Sequence, residues 1–117
     1  MGAFIMINKL QHKQSTFSKN ISIQKEIIAE FCQRHHIQKL SFFGSVLRDD
    51  FSPQSDIDIL VEFCPQHIPG LIGLAAMEEE LSSIFQRQVD LRTAEDLSPY
   101  FRQEVLDSAI IEYVNSR

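Results

Sequence analysis

Residues 44–58 read GSVLRDDFSPQSDID, in which a glycine-serine pair is followed, after ten residues, by two aspartates that flank one isoleucine. The aspartates open the stretch DIDILVEF (56–63), whose odd-numbered members are all apolar. This alternation predicts a half-buried β-strand, because successive side chains of a strand point to opposite faces. Asp56 and Asp58 are therefore predicted to share the face opposite the apolar one.

Hydrophobic spacing and turn residues predict the other elements on both sides of this strand. Ser22 is predicted to cap the first helix, and Ser98 with Pro99 marks the start of the last one. The predicted helices cover residues 23–35, 45–48, 71–85 and 99–107, and the predicted strands cover 37–43, 56–63, 88–92 and 109–113. This order predicts an α/β (α+β) domain with a small mixed β-sheet and helices packed on it.

The composition is ordinary for one globular domain, with 117 residues of which 44% are apolar and 23% charged. Residues 8–20 are polar and aperiodic, and only a short apolar run precedes them. Residues 1–20 are therefore predicted to form a flexible N-terminal segment, and residues 21–117 the folded domain.

Charge and cysteine content narrow the possible partners and the compartment. The net charge of −5 argues against a broad nucleic-acid surface, which needs a stripe of basic residues. No apolar run approaches the roughly 20 residues that span a bilayer, so no membrane association is expected. The two cysteines, Cys32 and Cys64, do not suggest a disulfide framework, and we expect a cytoplasmic protein.

The acidic residues predict a magnesium site. Asp56 and Asp58 lie about 7 Å apart along a strand, and two carboxylates on one face repel each other unless a cation lies between them. Mg²⁺ prefers oxygen ligands and keeps water or phosphate in its remaining positions. If the strand over 88–92 pairs beside 56–63, Asp90 reaches the same face, and three carboxylates could hold two metal ions.

The residues before the acid pair predict a nucleotide site. Gly44 would let the backbone approach a triphosphate closely, and the Ser45 hydroxyl and nearby amides could donate hydrogen bonds to it. Arg48 is a candidate for contacting phosphate oxygens, and Ser55 is a second candidate nucleotide contact. Two metals beside a triphosphate would suit in-line phosphoryl or nucleotidyl transfer.

Simpler interpretations exist for each part of this pattern. A single Asp-x-Asp pair is often a set of solvated acids on an edge strand, and a Gly-Ser pair after a strand is often only a turn. The Glu78–Glu80 run is expected to be a solvated helix face. The combination of all the parts, with a further acid on a later strand, favours a functional site over these alternatives.

The chain resembles a known family in several motifs. FGSVLR (43–48), Pro53 and SDIDILV (55–61) resemble the minimal nucleotidyltransferase (MNT) domain of the DNA polymerase β superfamily. Further along, the residues are similar to those of MntA-type antitoxins: MEEEL (77–81), RQVDL (87–91) and DLSPYFR (96–102). The resemblance covers about residues 37–113. One departure is Gln86, at a position where glycine is common in the family.

The resemblance implies an antitoxin that acts on a HEPN-domain ribonuclease toxin of the HepT type. In that family the MNT protein transfers AMP from ATP to a tyrosine hydroxyl of the toxin and so silences it. By motif, Asp56 and Asp58 would bind Mg²⁺, and Gly44 and Ser45 would hold the triphosphate. Asp90 would complete the metal site and help to deprotonate the acceptor.

Two other functions are compatible with the sequence. The protein could block the toxin by binding alone, because it is small and has no obvious second substrate domain. It could also be a nucleotidyltransferase that modifies a small molecule such as an aminoglycoside, although such enzymes usually carry an additional domain. Rescue of growth by a variant without the acid pair would indicate the first, and modification of a drug without a protein partner the second.

Overall fold

The structure is a computed structural model that describes residues 23–115. Four strands form one sheet in the spatial order β3-β2-β1-β4. The strands are β1 (Ile37–Phe43), β2 (Ile57–Phe63), β3 (Val89–Arg92) and β4 (Ile110–Val114). The helices are α1 (Lys25–Arg34), α2 (Leu71–Phe85) and α3 (Pro99–Ser108). The predicted α+β architecture is confirmed.

The sheet is mixed, as predicted. β1 pairs antiparallel with β2 on one side and with β4 on the other. β2 and β3 are parallel, and α2 provides the crossover that a parallel connection requires. The sheet therefore places β2 in its interior and β3 at one edge.

The apolar face of β2 forms the centre of the core. Ile57 and Ile59 are fully buried, and Val61 and Phe63 extend the same face. Ile28, Phe31 and Cys32 of α1 join this cluster, as do Met77 and Leu81 of α2. Both helices thus cover the odd-numbered face of β2, and the even-numbered face that bears Asp58 is left on the other side of the sheet.

The observed helix and strand ends differ slightly from the predicted ones. α1 begins at Lys25, two residues later than predicted, and its N-cap is Gln24 in extended conformation. The predicted cap Ser22 and the segment 1–20 lie outside the described residues. β2 begins at Ile57, so Asp56 precedes the strand. The predicted start of the last helix is confirmed, because the Tyr100 N–H donates to the Ser98 hydroxyl.

The expectation for Glu78–Glu80 is wrong for two of the three residues. Glu78 Oε2 accepts a 2.9 Å hydrogen bond from the backbone N–H of Leu91 in β3. Glu80 forms an ion pair with Arg34 and lies 2.9 Å from His35 Nε2, so it links α2 to the end of α1. Only Glu79 remains a plainly exposed member of the run. No helix within residues 23–115 is long and apolar enough to span a membrane.

Candidate active site

Three aspartates lie at the end of the sheet where β2 and β3 begin. Asp58 and Asp90 are partners in the parallel ladder, so their side chains leave the same face of adjacent strands. Asp56 precedes β2 and is exposed. The predicted pairing of the two acidic strands is therefore confirmed, and with it the placement of Asp90 beside Asp58.

Gly44 touches this acidic group directly. Its φ of +76° lies in the left-handed region that glycine adopts most easily. A Cβ at this position would lie only 2.3 Å from Asp58 Oδ2, much closer than any allowed contact. Glycine is therefore required here by the Asp58 carboxylate itself, a reason that adds to the predicted approach of a phosphate.

Ser45 connects the turn after β1 to both aspartates of the pair. Its hydroxyl donates to the backbone carbonyl of Asp56 at 3.3 Å. Its backbone N–H donates to the carboxylate of Asp58. These two bonds hold the short 3₁₀ turn Gly44–Leu47 against the start of β2.

The electrostatic environment of Asp58 is unfavourable for a negative charge. Burial raises the pKa of Asp58, and the nearby charges of Asp90 and Asp56 raise it further. The Ser45 N–H and the Arg92 guanidinium oppose this shift only in part. A divalent cation among the three carboxylates would remove the repulsion that raises this pKa.

Asp90 is held by Arg92, its neighbour on the same strand face. Arg92 Nε lies 3.0 Å from Asp90 Oδ1, and Nη2 lies 3.2 Å from Oδ2. Among residues 23–115, no three His, Cys, Asp or Glu side chains are arranged so as to hold a metal ion together. The strands thus bring Asp58 and Asp90 side by side, with Asp56 just before β2, while the Asp90 side chain points to Arg92.

The donor set nevertheless fits magnesium in its chemistry. All three candidates offer carboxylate oxygens, the ligands that this cation prefers. Asp58 is partly buried among like charges, and a bound divalent cation would offset their repulsion. Asp56 and Asp58 would hold the ion, and Asp90 would join them after leaving Arg92.

The two other candidate nucleotide contacts lie in the loop between β1 and β2. Arg48 Nε is 3.3 Å from Asp50 Oδ1, and 60% of the Arg48 side chain is exposed. The Ser55 hydroxyl accepts from the backbone N–H of Ser52 at 3.1 Å and so closes the turn before Asp56. Contacts of Arg48 and Ser55 with a nucleotide remain predictions.

Arg87 is a residue of the site region to which sequence analysis assigned no role. Its Nη1 donates to the backbone carbonyl of Ser52 at 3.0 Å and lies 3.5 Å from that of Ser55. Its guanidinium also lies 4.5 Å from the centre of the Phe51 ring. Arg87 thus ties the loop that precedes Asp56 to the segment that precedes β3. The spacing of RQVDL contains no signal for such a contact, because the partners are more than 30 residues away.

A cavity of about 300 Å³ lies elsewhere in the molecule. Its lining includes Ser41, Leu60 and Glu62 from the same sheet face as Asp58, together with Leu106 of α3. None of the seven candidate site residues lines it. The chemistry of the aspartates, rather than the shape of the cavity, identifies the candidate site.

Comparison with known proteins agrees with this geometry. Residues 24–111 match the family model of the nucleotidyltransferase domain. A candidate protein adenylyltransferase of Methanocaldococcus jannaschii is 32% identical over 78% of this chain and 96% of its own length. The protein adenylyltransferase MntA of Thermococcus cleftensis is 31% identical over 69% of this chain and 80% of its own length.

Solved structures share the fold. A crystal structure of a toxin-antitoxin with AMP-PNP matches with a TM-score of 0.65 and 21% identity, covering 79% of this chain and 74% of that one. A structure of tri-AMPylated Shewanella oneidensis HEPN toxin in complex with MNT antitoxin matches with a TM-score of 0.58 and 22% identity, covering 78% and 70% of the two chains.

Proposed function

The chain belongs to the nucleotidyltransferase domain family, and on that premise we propose that it is an antitoxin that adenylylates a toxin. The reaction would transfer AMP from ATP, with magnesium, to a tyrosine hydroxyl of a cognate HEPN-family ribonuclease. The modified toxin would be inactive. The reaction would take place in the cytoplasm.

One observation carries the proposal: Asp58 and Asp90 are partners on adjacent parallel strands, Asp56 lies just before β2, and a Cβ on Gly44 would lie 2.3 Å from the Asp58 carboxylate. A merely structural role for these carboxylates is hard to reconcile with the environment of Asp58, whose pKa is raised by burial and, after that, by the charges of Asp90 and Asp56. Groups with such perturbed pKa values gather at functional sites. A site that binds cations would compensate for the repulsion.

For this reaction the protein would mainly have to hold the charged reactants and the metal ions in position. The tyrosine oxygen would attack the α-phosphorus of ATP as its proton passes to Asp90, a new O–P bond would form, and the bond from that phosphorus to pyrophosphate would break. Bound magnesium would lower the pKa of the attacking hydroxyl and neutralise the leaving pyrophosphate. Asp56, Asp58 and Asp90 would hold the cations. Gly44 would leave room for the triphosphate beside Asp58, as its lack of a side chain allows.

The comparisons support a protein acceptor and a toxin as the partner. A relative at 31% identity is named a protein adenylyltransferase, so its class of substrate is a protein. A structure of the same fold pairs an MNT antitoxin with an AMPylated HEPN toxin. A second contains AMP-PNP, an analogue of ATP. We extend these three features, each stated of another protein, to this chain.

Transfer of labelled AMP tests the proposal. Purified protein, ATP labelled at the α-phosphate, magnesium and the HEPN toxin of the same operon are incubated, and the toxin is analysed for label, intact mass and modified residue. We expect AMP on a tyrosine of the toxin, and no label when magnesium is chelated. The variant Asp56→Ala with Asp58→Ala should give none.

The matched control removes two exposed carboxylates outside the site, Glu79→Ala with Asp107→Ala. This control should label the toxin as the wild type does. Label that persists in the Asp56/Asp58 variant would reject the assigned site. If that variant labels nothing but still rescues growth against the toxin, the protein acts by binding alone.

A further inference from the structure

Asp90 is followed two residues later on the same strand face by a cation, Arg92. Their ion pair is two-pronged, because Nε and Nη2 of the guanidinium each contact a different oxygen of the carboxylate, at 3.0 and 3.2 Å. Pairs of this geometry fix the orientation of both side chains. Both oxygens of the third candidate metal ligand are therefore already engaged.

The sheet register determines the direction from which Arg92 reaches Asp90. In the parallel ladder Asp90 lies beside Asp58, and Arg92 lies beside Leu60, one step further along β2. Asp56 lies before the start of β2, at the opposite end. Arg92 thus approaches Asp90 from the side remote from Asp56 and holds it away from a position between all three carboxylates.

From this arrangement we infer that Arg92 is a positioning residue that competes with the divalent cation for the carboxylate of Asp90. A guanidinium that contacts both oxygens occupies two of the roughly four lone-pair sites of the carboxylate and fixes its orientation, so it opposes a turn of Asp90 towards a metal ion. The positive charges of the guanidinium and the cation also repel each other. The inference rests on the proposed function, since it takes Asp90 to be a metal ligand.

The competition is weak enough to be reversed by a cation. The side chains of Arg92 and Asp90 are 45% and 35% exposed, and exposed ion pairs contribute little. Arg92 also has a second acidic neighbour: after Asp90, the charge of Asp96 helps to raise the pKa of Arg92. A cation held by Asp56 and Asp58 could therefore draw Asp90 away from Arg92.

Binding of Mn²⁺, measured by the electron paramagnetic resonance signal of the free ion, tests the inference without substrate turnover. The full chain is titrated as wild type, as Arg92→Leu and as Arg92→Lys. We expect Arg92→Leu to bind Mn²⁺ roughly two- to fivefold more tightly, the range for loss of an exposed ion pair. The Mn²⁺ affinity of Arg92→Lys should fall between those of the wild type and Arg92→Leu, because an ammonium group cannot form the two-pronged pair.

Two comparisons separate competition from a general effect of charge. Arg34→Leu removes the same charge and another exposed ion pair, with Glu80, and should leave Mn²⁺ affinity near the wild-type value. In an Asp90→Ala background, Arg92→Leu should tighten binding much less than in the wild type, because only the direct repulsion between guanidinium and cation is then removed. Tightening of equal size in that background, or by Arg34→Leu, would overturn the inference.

The same titrations distinguish this inference from the proposed function. If the wild type binds Mn²⁺ through Asp56 and Asp58 but Arg92→Leu changes nothing, the inference is wrong and the metal-dependent function stands. If neither the wild type nor Arg92→Leu binds Mn²⁺, the inference is overturned, and the labelling assay decides the proposed function separately.

Discussion

At Gly44 a hydrogen atom is the largest group that fits beside the Asp58 carboxylate. The position combines a left-handed backbone with a distance of 2.3 Å from the would-be Cβ to Asp58 Oδ2. The left-handed backbone at Gly44 and the nearby Asp58 carboxylate thus disfavour other residues for separate reasons. Gly70, by contrast, would meet nothing within 4 Å if it carried a Cβ.

Gly44→Ala should therefore damage both stability and activity. The left-handed backbone alone costs roughly 1–2 kcal/mol for a residue with a Cβ, and the clash must move Asp58. We expect AMP transfer to fall about 100-fold, since a small misplacement of catalytic groups costs about that much. Urea unfolding and the labelling assay measure the two effects. Gly70→Ala should leave AMP transfer unchanged and cost at most about 1 kcal/mol, because Gly70 is the N-cap of α2. An active Gly44→Ala protein would contradict the proposed role of the contact.

Asp58→Asn should stabilise the protein at neutral pH. The pKa of Asp58 is raised above its ordinary value of 3.8 by burial and by Asp90 and Asp56. The folded protein therefore binds a proton more readily than the unfolded chain, and stability falls as the pH rises through the raised pKa. At pH 7.5 the variant should melt about 2–4 °C higher than the wild type.

The difference in melting temperature between the wild type and Asp58→Asn should disappear at low pH, where Asp58 of the wild type is protonated in both the folded and the unfolded chain. Added magnesium at pH 7.5 should also narrow it, because a bound cation relieves the same repulsion. Calorimetric scans across pH measure both effects, and Glu79→Gln, an exposed carboxylate, serves as the control. A melting temperature that falls on Asp58→Asn at pH 7.5 would show that burial and repulsion of the Asp58 charge do not destabilise the folded protein.

At the scale of an element, α2 ends in a strained residue. Its C-cap Gln86 has φ 53° and ψ 45°, the left-handed conformation in which glycine is usual. The family resemblance already marked this position as one where glycine is common. Gln86 keeps this left-handed conformation because its N–H donates to carbonyls of the last helical turn and because the chain must then turn into β3.

Gln86→Gly should raise the free energy of unfolding by about 1 kcal/mol, the cost of the left-handed backbone less the added flexibility of glycine. Urea denaturation with an unchanged slope is the measurement. Gln86→Ala keeps the backbone requirement and should give no such gain. Equal stability of the two variants would mean that Gln86 is not strained.

Hydrophobic spacing predicted the helices and strands well because each depends on local repetition. The alternation in 56–63 identified β2 and the face that bears the acid pair, and the same reasoning placed Asp90 beside it. The contacts of Arg87, Glu80 and Arg92 were not predicted. The first two join residues far apart in sequence, and the third is a charge pair whose geometry depends on how β3 packs. Spacing alone does not encode these distances.

At the scale of the whole molecule, the predicted domain boundary near residue 21 can be tested by truncation. All seven candidate site residues lie between residues 44 and 90, and the family match begins at residue 24. Removal of residues 1–20 should therefore leave the melting temperature within about 3 °C and AMP transfer within about twofold. A larger loss in either measurement would place residues 1–20 in the functional domain.

The parallel pairing of β2 with β3 makes the site sensitive to the number of residues in the connection that precedes β3. Because Asp58 and Asp90 meet as partners in strands of period two, a single inserted or deleted residue in the 86–88 connection would turn β3 over. Val89 would then face solvent and Asp90 the apolar layer. Among related sequences this short connection should tolerate exchange of side chains far better than any odd change in its length.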